Sequence, residues 1–237
     1  MGLTLHYSLH ADTRSVTTAR DLIEKLRQRA LSLPFKSVGP LLEFSGEFCD
    51  FSRRRQDDPS RWLLIQACGR VHRDPYLYDV PATHVIAFDS LPGDGSEPAN
   101  FGLARYPATI TDSQGKRIRT GLSGWRWRSF CKTQYASNPK CGGVENFLRS
   151  HLSVVKLLDH ARELGILGEV KDEGRFWERR DIKALALEVG EWNEMIAAGI
   201  GKLKDCLGGD VEAPITSYPD YEHLEAKGQS VEPGEPK

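Results

Sequence analysis

Apolar and polar positions alternate at the start of the chain. Leu3, Leu5, Tyr7 and Leu9 fall on one face of an extended segment, and Thr4, His6, Ser8 and His10 fall on the other. A two-residue period is that of a strand with one buried face. The period then lengthens: Val16, Ala19, Ile23, Leu26, Ala30 and Leu33 recur at steps of three and four, with Thr13 or Ser15 able to cap the start, as far as Pro34. That spacing predicts a helix. Residues 38–44, 62–71 and 84–91 are apolar, β-branched runs that predict further strands, and 99–110 has room for one or two short ones. Residues 52–61 form a charged loop, and 91–100, dense in Gly and Pro, a tight connection.

The second half keeps a helical rhythm. Val144, Phe147, His151, Val154, Leu158, Ala161 and Gly165 lie on one stripe, which predicts an amphipathic helix of about 30 Å. Ile182, Leu185, Val189, Trp192, Ile196, Gly199, Leu203 and Cys206 continue the pattern over about 40 Å, ending at Gly208-Gly209. Two such seams predict a helical hairpin joined through residues 165–177. From Asp210 onward the rhythm is lost. Asp210, Glu212, Asp220, Glu222, Glu225, Glu232 and Glu235 face only Lys227 and Lys237, so a disordered acidic tail is expected, at least beyond Glu222.

The expected fold class is therefore α+β. Residues 1–112 form a mixed β-sheet with a covering helix, 113–143 a connector, 144–209 a long helical hairpin and 210–237 the tail.

Composition narrows the function. At 237 residues, 39% hydrophobic and 27% charged, the chain can bury an ordinary core. A formal net charge of -1 gives no global attraction to nucleic acid or anionic lipid, so any electrostatic function is local. No window approaches the roughly 18 apolar residues of a membrane span, so export and membrane insertion are not expected. Cys49, Cys68, Cys131, Cys141 and Cys206 are an odd, scattered set without CxxC, which suits reduced thiols and a cytoplasmic location.

The local charge lies in residues 113–144. Lys116, Arg117, Arg119, Arg126, Arg128, Lys132 and Lys140 occur there with no carboxylate, and Trp125, Trp127, Phe130 and Tyr135 are threaded among them. Cations hold phosphates and flat rings stack on bases, so the segment is a candidate binding site for single-stranded or structured nucleic acid, with Trp125, Trp127 and Tyr135 as stacking platforms. The same alternation, Trp125-Arg126-Trp127-Arg128, also fits a strand whose tryptophans face the core and whose arginines face water.

Other chemistry is weaker. Gly93-Asp94-Gly95 lacks the third glycine of a dinucleotide loop, which would fall at Pro98. Asp89, Asp94 and Glu97 offer oxygen ligands for a metal-dependent phosphodiesterase, the main enzymatic alternative. Cys131 with His151 suggests a thiol nucleophile, against the simpler reading of His151 as a hydrogen-bonded core residue. Gly142-Gly143 precedes a helix and could present backbone amides to an anion, although Glu145 opposes this. Cys131 and Cys141 lack zinc-ligand spacing, and His6 and His10 would stand about 13 Å apart on a strand. No resident metal or cofactor is expected, and the catalytic residues of any enzymatic activity are unknown. The helical seams leave a third role open, a scaffold that binds a protein partner.

Overall fold

The computed structural model of the protein describes residues 3–112, 114–207 and 211–230. Its strands are β1 (Thr4–Ala11), β2 (Ser37–Val38), β3 (Leu42–Ser45), β4 (Gly69–Arg73), β5 (Tyr76–Val80), β6 (His84–Phe88), β7 (Ser90–Leu91), β8 (Phe101–Arg105), β9 (Thr109–Thr111), β10 (Arg117–Arg119), β11 (Trp125–Lys132) and β12 (Leu167–Asp172). The helices are α1 (Val16–Leu31), α2 (Ser60–Gln66), α3 (Gly143–Glu163), α4 (Phe176–Arg179), α5 (Ile182–Leu207) and α6 (Tyr221–Ser230). The class is α+β.

Six strands form the central sheet in the order β12-β1-β11-β8-β6-β3. A mixed sheet was the expectation; every pairing in it is antiparallel. Strands β4 and β5 form a separate hairpin, and β9 and β10 another.

Successive residues of β3 show how the layers are arranged. Glu43 pairs with Arg20 of α1, whereas Phe44 lies under the Arg54 guanidinium, 5.0 Å from its ring centre. Neighbouring strand residues point to opposite faces, so α1 covers one side of the sheet and the segment leading into α2 covers the other. Ser15 caps α1 by accepting from the Thr18 N–H, and Ala19, Ile23, Leu26 and Ala30 face the core. Helix α3 lies beside α1 and buries Phe147, Val154, Val155, Leu157, Leu158 and Ala161. Among the described residues, α2 packs over β6 and its Gln66 reaches Ser129 of β11. Beside α2 the second face remains open, with His6 and His10 of β1, Arg128 and Phe130 of β11, and Glu169 and Lys171 of β12 exposed.

Three elements depart from the sequence pattern. Residues 62–71 are not one strand: α2 ends at Gln66 and β4 starts at Gly69. The Asp58 carboxylate takes the N–H and hydroxyl of Ser60, which fixes the entry to α2. Between the two long helices the chain does not simply loop, because residues 167–172 add β12 to the outside of β1. Helices α3 and α5 touch, but the longest antiparallel packing of α5 is with α6. Gly201 lies against Glu225, and Gly228 against the Glu194 carbonyl, so the helices run closely in opposite directions. Part of the expected acidic tail is therefore helical; residues 231–237 lie outside the described residues.

A second small core of Ala197, Ile215 and Tyr218 fastens α5 and the following turn to Tyr135. Among the described residues no helix is long and apolar enough to cross a membrane. All five cysteines are free.

Candidate nucleic-acid interface

The eight residues of β11 pair without a register shift along β1, from Thr4↔Lys132 to Ala11↔Trp125. Alternation then sorts its side chains. Trp125, Trp127, Ser129 and Cys131 turn inward, and Arg126, Arg128, Phe130 and Lys132 turn toward the open half of the second face. Cross-strand pairing brings Phe130 beside His6, Arg128 beside Ser8 and Arg126 beside His10, while β12 adds Lys171 next to His6. The His6 and Phe130 ring centres are 6.0 Å apart.

This sorting overturns the stacking role of both tryptophans. Trp125 is 0% exposed and Trp127 1%, so neither ring can meet a base. Their burial follows from the seam between β8 and β11. The strands pair at Trp125↔Arg105 and Arg126↔Ala104, and farther along side chains bridge them. Trp127 Nε1 donates to the Asn100 carbonyl at 3.0 Å, and the Tyr7 hydroxyl donates to the same oxygen at 2.8 Å. Asn100 Nδ2 donates to Gln66 Oε1, and Gln66 Nε2 to Ser129 Oγ. Tyr135 is half-buried with Lys132 Nζ 4.5 Å from its ring centre, so its own neighbour already occupies a ring face.

The seven cations fall into three groups. Lys116, Arg117 and Arg119 belong to the β9–β10 hairpin, where the Arg119 carbonyl accepts from Arg73. Arg126, Arg128 and Lys132 lie in file on β11. Lys140 is exposed on the turn Pro139–Cys141 before α3. Among the described residues none of the seven forms a side-chain ion pair.

Arg126 and Arg128 line a cleft of about 420 Å³ with Gln66, Arg70, Asp79 and Tyr106. An adjoining hollow of about 410 Å³ carries Arg128, Phe130, His6, Lys171 and Glu169. Burial pushes the Tyr106 phenol well up, with the positive charges of Arg126 and Arg128 opposing that shift, while its hydroxyl donates to the Ala67 carbonyl. Lys171, His6 and Phe130 were not among the candidate binding groups. The alternation of β11 already pointed to Phe130; Lys171 depended on a strand that the periodicity did not reveal.

The alternative chemistry does not assemble. Asp94 pairs with Lys36, Glu97 accepts from the Lys132 N–H, and the Asp89 carboxylate lies against Gly39. Among the described residues there is no group of three or more His, Cys, Asp or Glu side chains able to hold a metal ion. Cys131 is buried, which pushes its thiol pKa well up, and it donates to the Glu97 carbonyl. His151 bonds instead to Thr133 and Asp172. The Gly142 and Gly143 N–H groups are taken by Pro139 and Asn138 carbonyls, and the turn at residues 93–96 is closed by Ser96 and docked on Asn146.

No family model, curated protein or solved structure matches this chain.

Proposed function

We propose that the protein binds nucleic acid, single-stranded or structured, through the open half of its central sheet. The carrying observation is the file Arg126, Arg128, Phe130 and Lys132, which puts three cations and a half-exposed ring on one face of a rigid strand. Alternate strand positions are spaced roughly 7 Å apart. Lys171 adds positive charge at one border, Arg70 at the other is paired with Asp79, and the adjoining clefts give the surface concave relief. Cations for phosphates beside an aromatic platform are the parts a sequence-tolerant strand binder needs. Glu169 and Asp79 interrupt the positive field, so affinity should be modest and strongly dependent on salt.

The test is charge reversal. Arg126→Glu with Arg128→Glu should abolish binding of a labelled single strand while leaving the thermal midpoint nearly unchanged, because exposed charges contribute little to stability. Wild-type affinity in the double variant overturns the reading. A second role, contact with a protein partner through α5, is favoured by the exposed side chains of Leu187, Met195 and Leu203.

A further inference from the structure

Beside the basic file lies a groove of about 460 Å³ whose lining is mainly apolar: Trp62, Ile65, Pro98 and Phe130, with the amides of Gln66 and Asn100 and the carboxylate of Glu97. Trp62 is 66% exposed and Phe130 50%. They approach from different layers, Trp62 from α2 and Phe130 from β11. Single exposed rings are ordinary; two lining one groove beside a row of cations call for an explanation.

We infer that this groove receives a nucleobase of the bound strand, an inference that rests on the nucleic-acid reading above. Phe130 belongs to both surfaces, standing in file with Arg126, Arg128 and Lys132 and also lining the groove. A strand held by its phosphates along β11 would thus bring its bases to the Phe130 and Trp62 rings, and stacking on such rings is tolerant of sequence. The amides that line the groove are held in place: Asn100 Nδ2 donates to Gln66 Oε1 at 2.9 Å, and Gln66 Nε2 to Ser129 Oγ at 2.6 Å. Asn100 Oδ1 is covered and has no partner among the described residues.

The occupant is a planar heteroaromatic ring attached to a polyanion, and the two parts can be tested apart. Two probes of matched charge are titrated into the full chain: a short adenine homopolymer and inorganic polyphosphate. Trp62→Ala combined with Phe130→Ala should weaken the homopolymer on the order of tenfold, leave polyphosphate affinity at the wild-type value, and preserve the salt slope. Retained polyphosphate binding also shows that the variant is folded. If the variant keeps full affinity for the homopolymer while Arg126→Glu with Arg128→Glu loses it, the base groove is overturned and the basic face stands. If charge reversal leaves both probes unaffected, the nucleic-acid reading fails, and the base assignment falls with it.

Discussion

His151 Nε2 lies 3.1 Å from Asp172 Oδ2, and both side chains are sealed from solvent. Asp172 also accepts from the N–H groups of Gly174 and Trp177, and His151 Nδ1 meets Thr133 Oγ1 at 2.9 Å. The pair therefore joins α3, β12 and the end of β11, and it fixes the strand that carries Lys171. Asp172→Ala would leave the imidazole and two N–H groups without an acceptor, with an expected loss of about 3–5 kcal/mol in denaturant unfolding. A loss below about 1 kcal/mol would show that the pair does not hold these elements together.

The same pair gives a pH dependence. Burial raises the Asp172 pKa, but the hydrogen bond and charge of His151, helped by the N–H donors of Trp177 and Gly174, outweigh it and hold the carboxyl below its ordinary value. A carboxyl depressed on folding adds stability above its unfolded pKa, about 3.9, and loses that contribution as pH falls through the folded value. Wild-type stability should therefore fall more steeply than that of Asp172→Asn below about pH 4. Parallel acid profiles would contradict the assignment.

Trp127 separates a core role from a ligand role. Trp127→Phe removes the donor to the Asn100 carbonyl and should cost about 1 kcal/mol, whereas Trp127→Ala opens the seam and should cost about 3–5 kcal/mol. Both effects are read by chemical denaturation. Neither folded variant should lose nucleic-acid affinity at low salt, and a selective affinity loss in Trp127→Phe would restore the stacking role.

What was legible in the sequence was periodicity with a single buried face. The alternation of residues 3–9 gave β1 and the three-and-four rhythm after Ser15 gave α1, whereas the segment expected as a connector holds the strand β11, which the Trp-Arg repeat had offered only as an alternative with its inward face undecided. Pairing with β1 decided that, because Leu9↔Trp127 and Leu5↔Cys131 share the core face. Short apolar runs were ambiguous: Trp62, Leu63, Leu64 and Ile65 suit a strand or a buried helical turn equally well, and the turn in which Asp58 accepts from Ser60 leads them into α2. Strand β12 includes Gly168, Glu169 and Lys171, and its strand state comes from pairing with β1 rather than from propensity. The groove could not be read at all, since Trp62 and Phe130 are brought together only by tertiary packing.

Helix α6 supplies a packing prediction. A Cβ at Gly228 would collide with the Glu194 backbone carbonyl, which cannot swing aside as a side chain could. Gly228→Ala should separate α6 from α5, with a loss of about 1–3 kcal/mol or faster hydrogen exchange confined to Tyr221–Ser230 and the facing turns of α5. Wild-type stability together with wild-type exchange would show that the two helices are not closely packed.

The most direct measurement of the central claim is the affinity of the wild-type protein for a short single strand across a series of salt concentrations. Three or four of the cations Arg126, Arg128, Lys132 and Lys171 reaching phosphates at once, at about 0.7 counterion released per contact, give a slope of log affinity against log salt of roughly minus 2 to minus 3. A slope in that range is the predicted result. A flat response, or no binding at low salt, would contradict a nucleic-acid interface on the open half of the sheet.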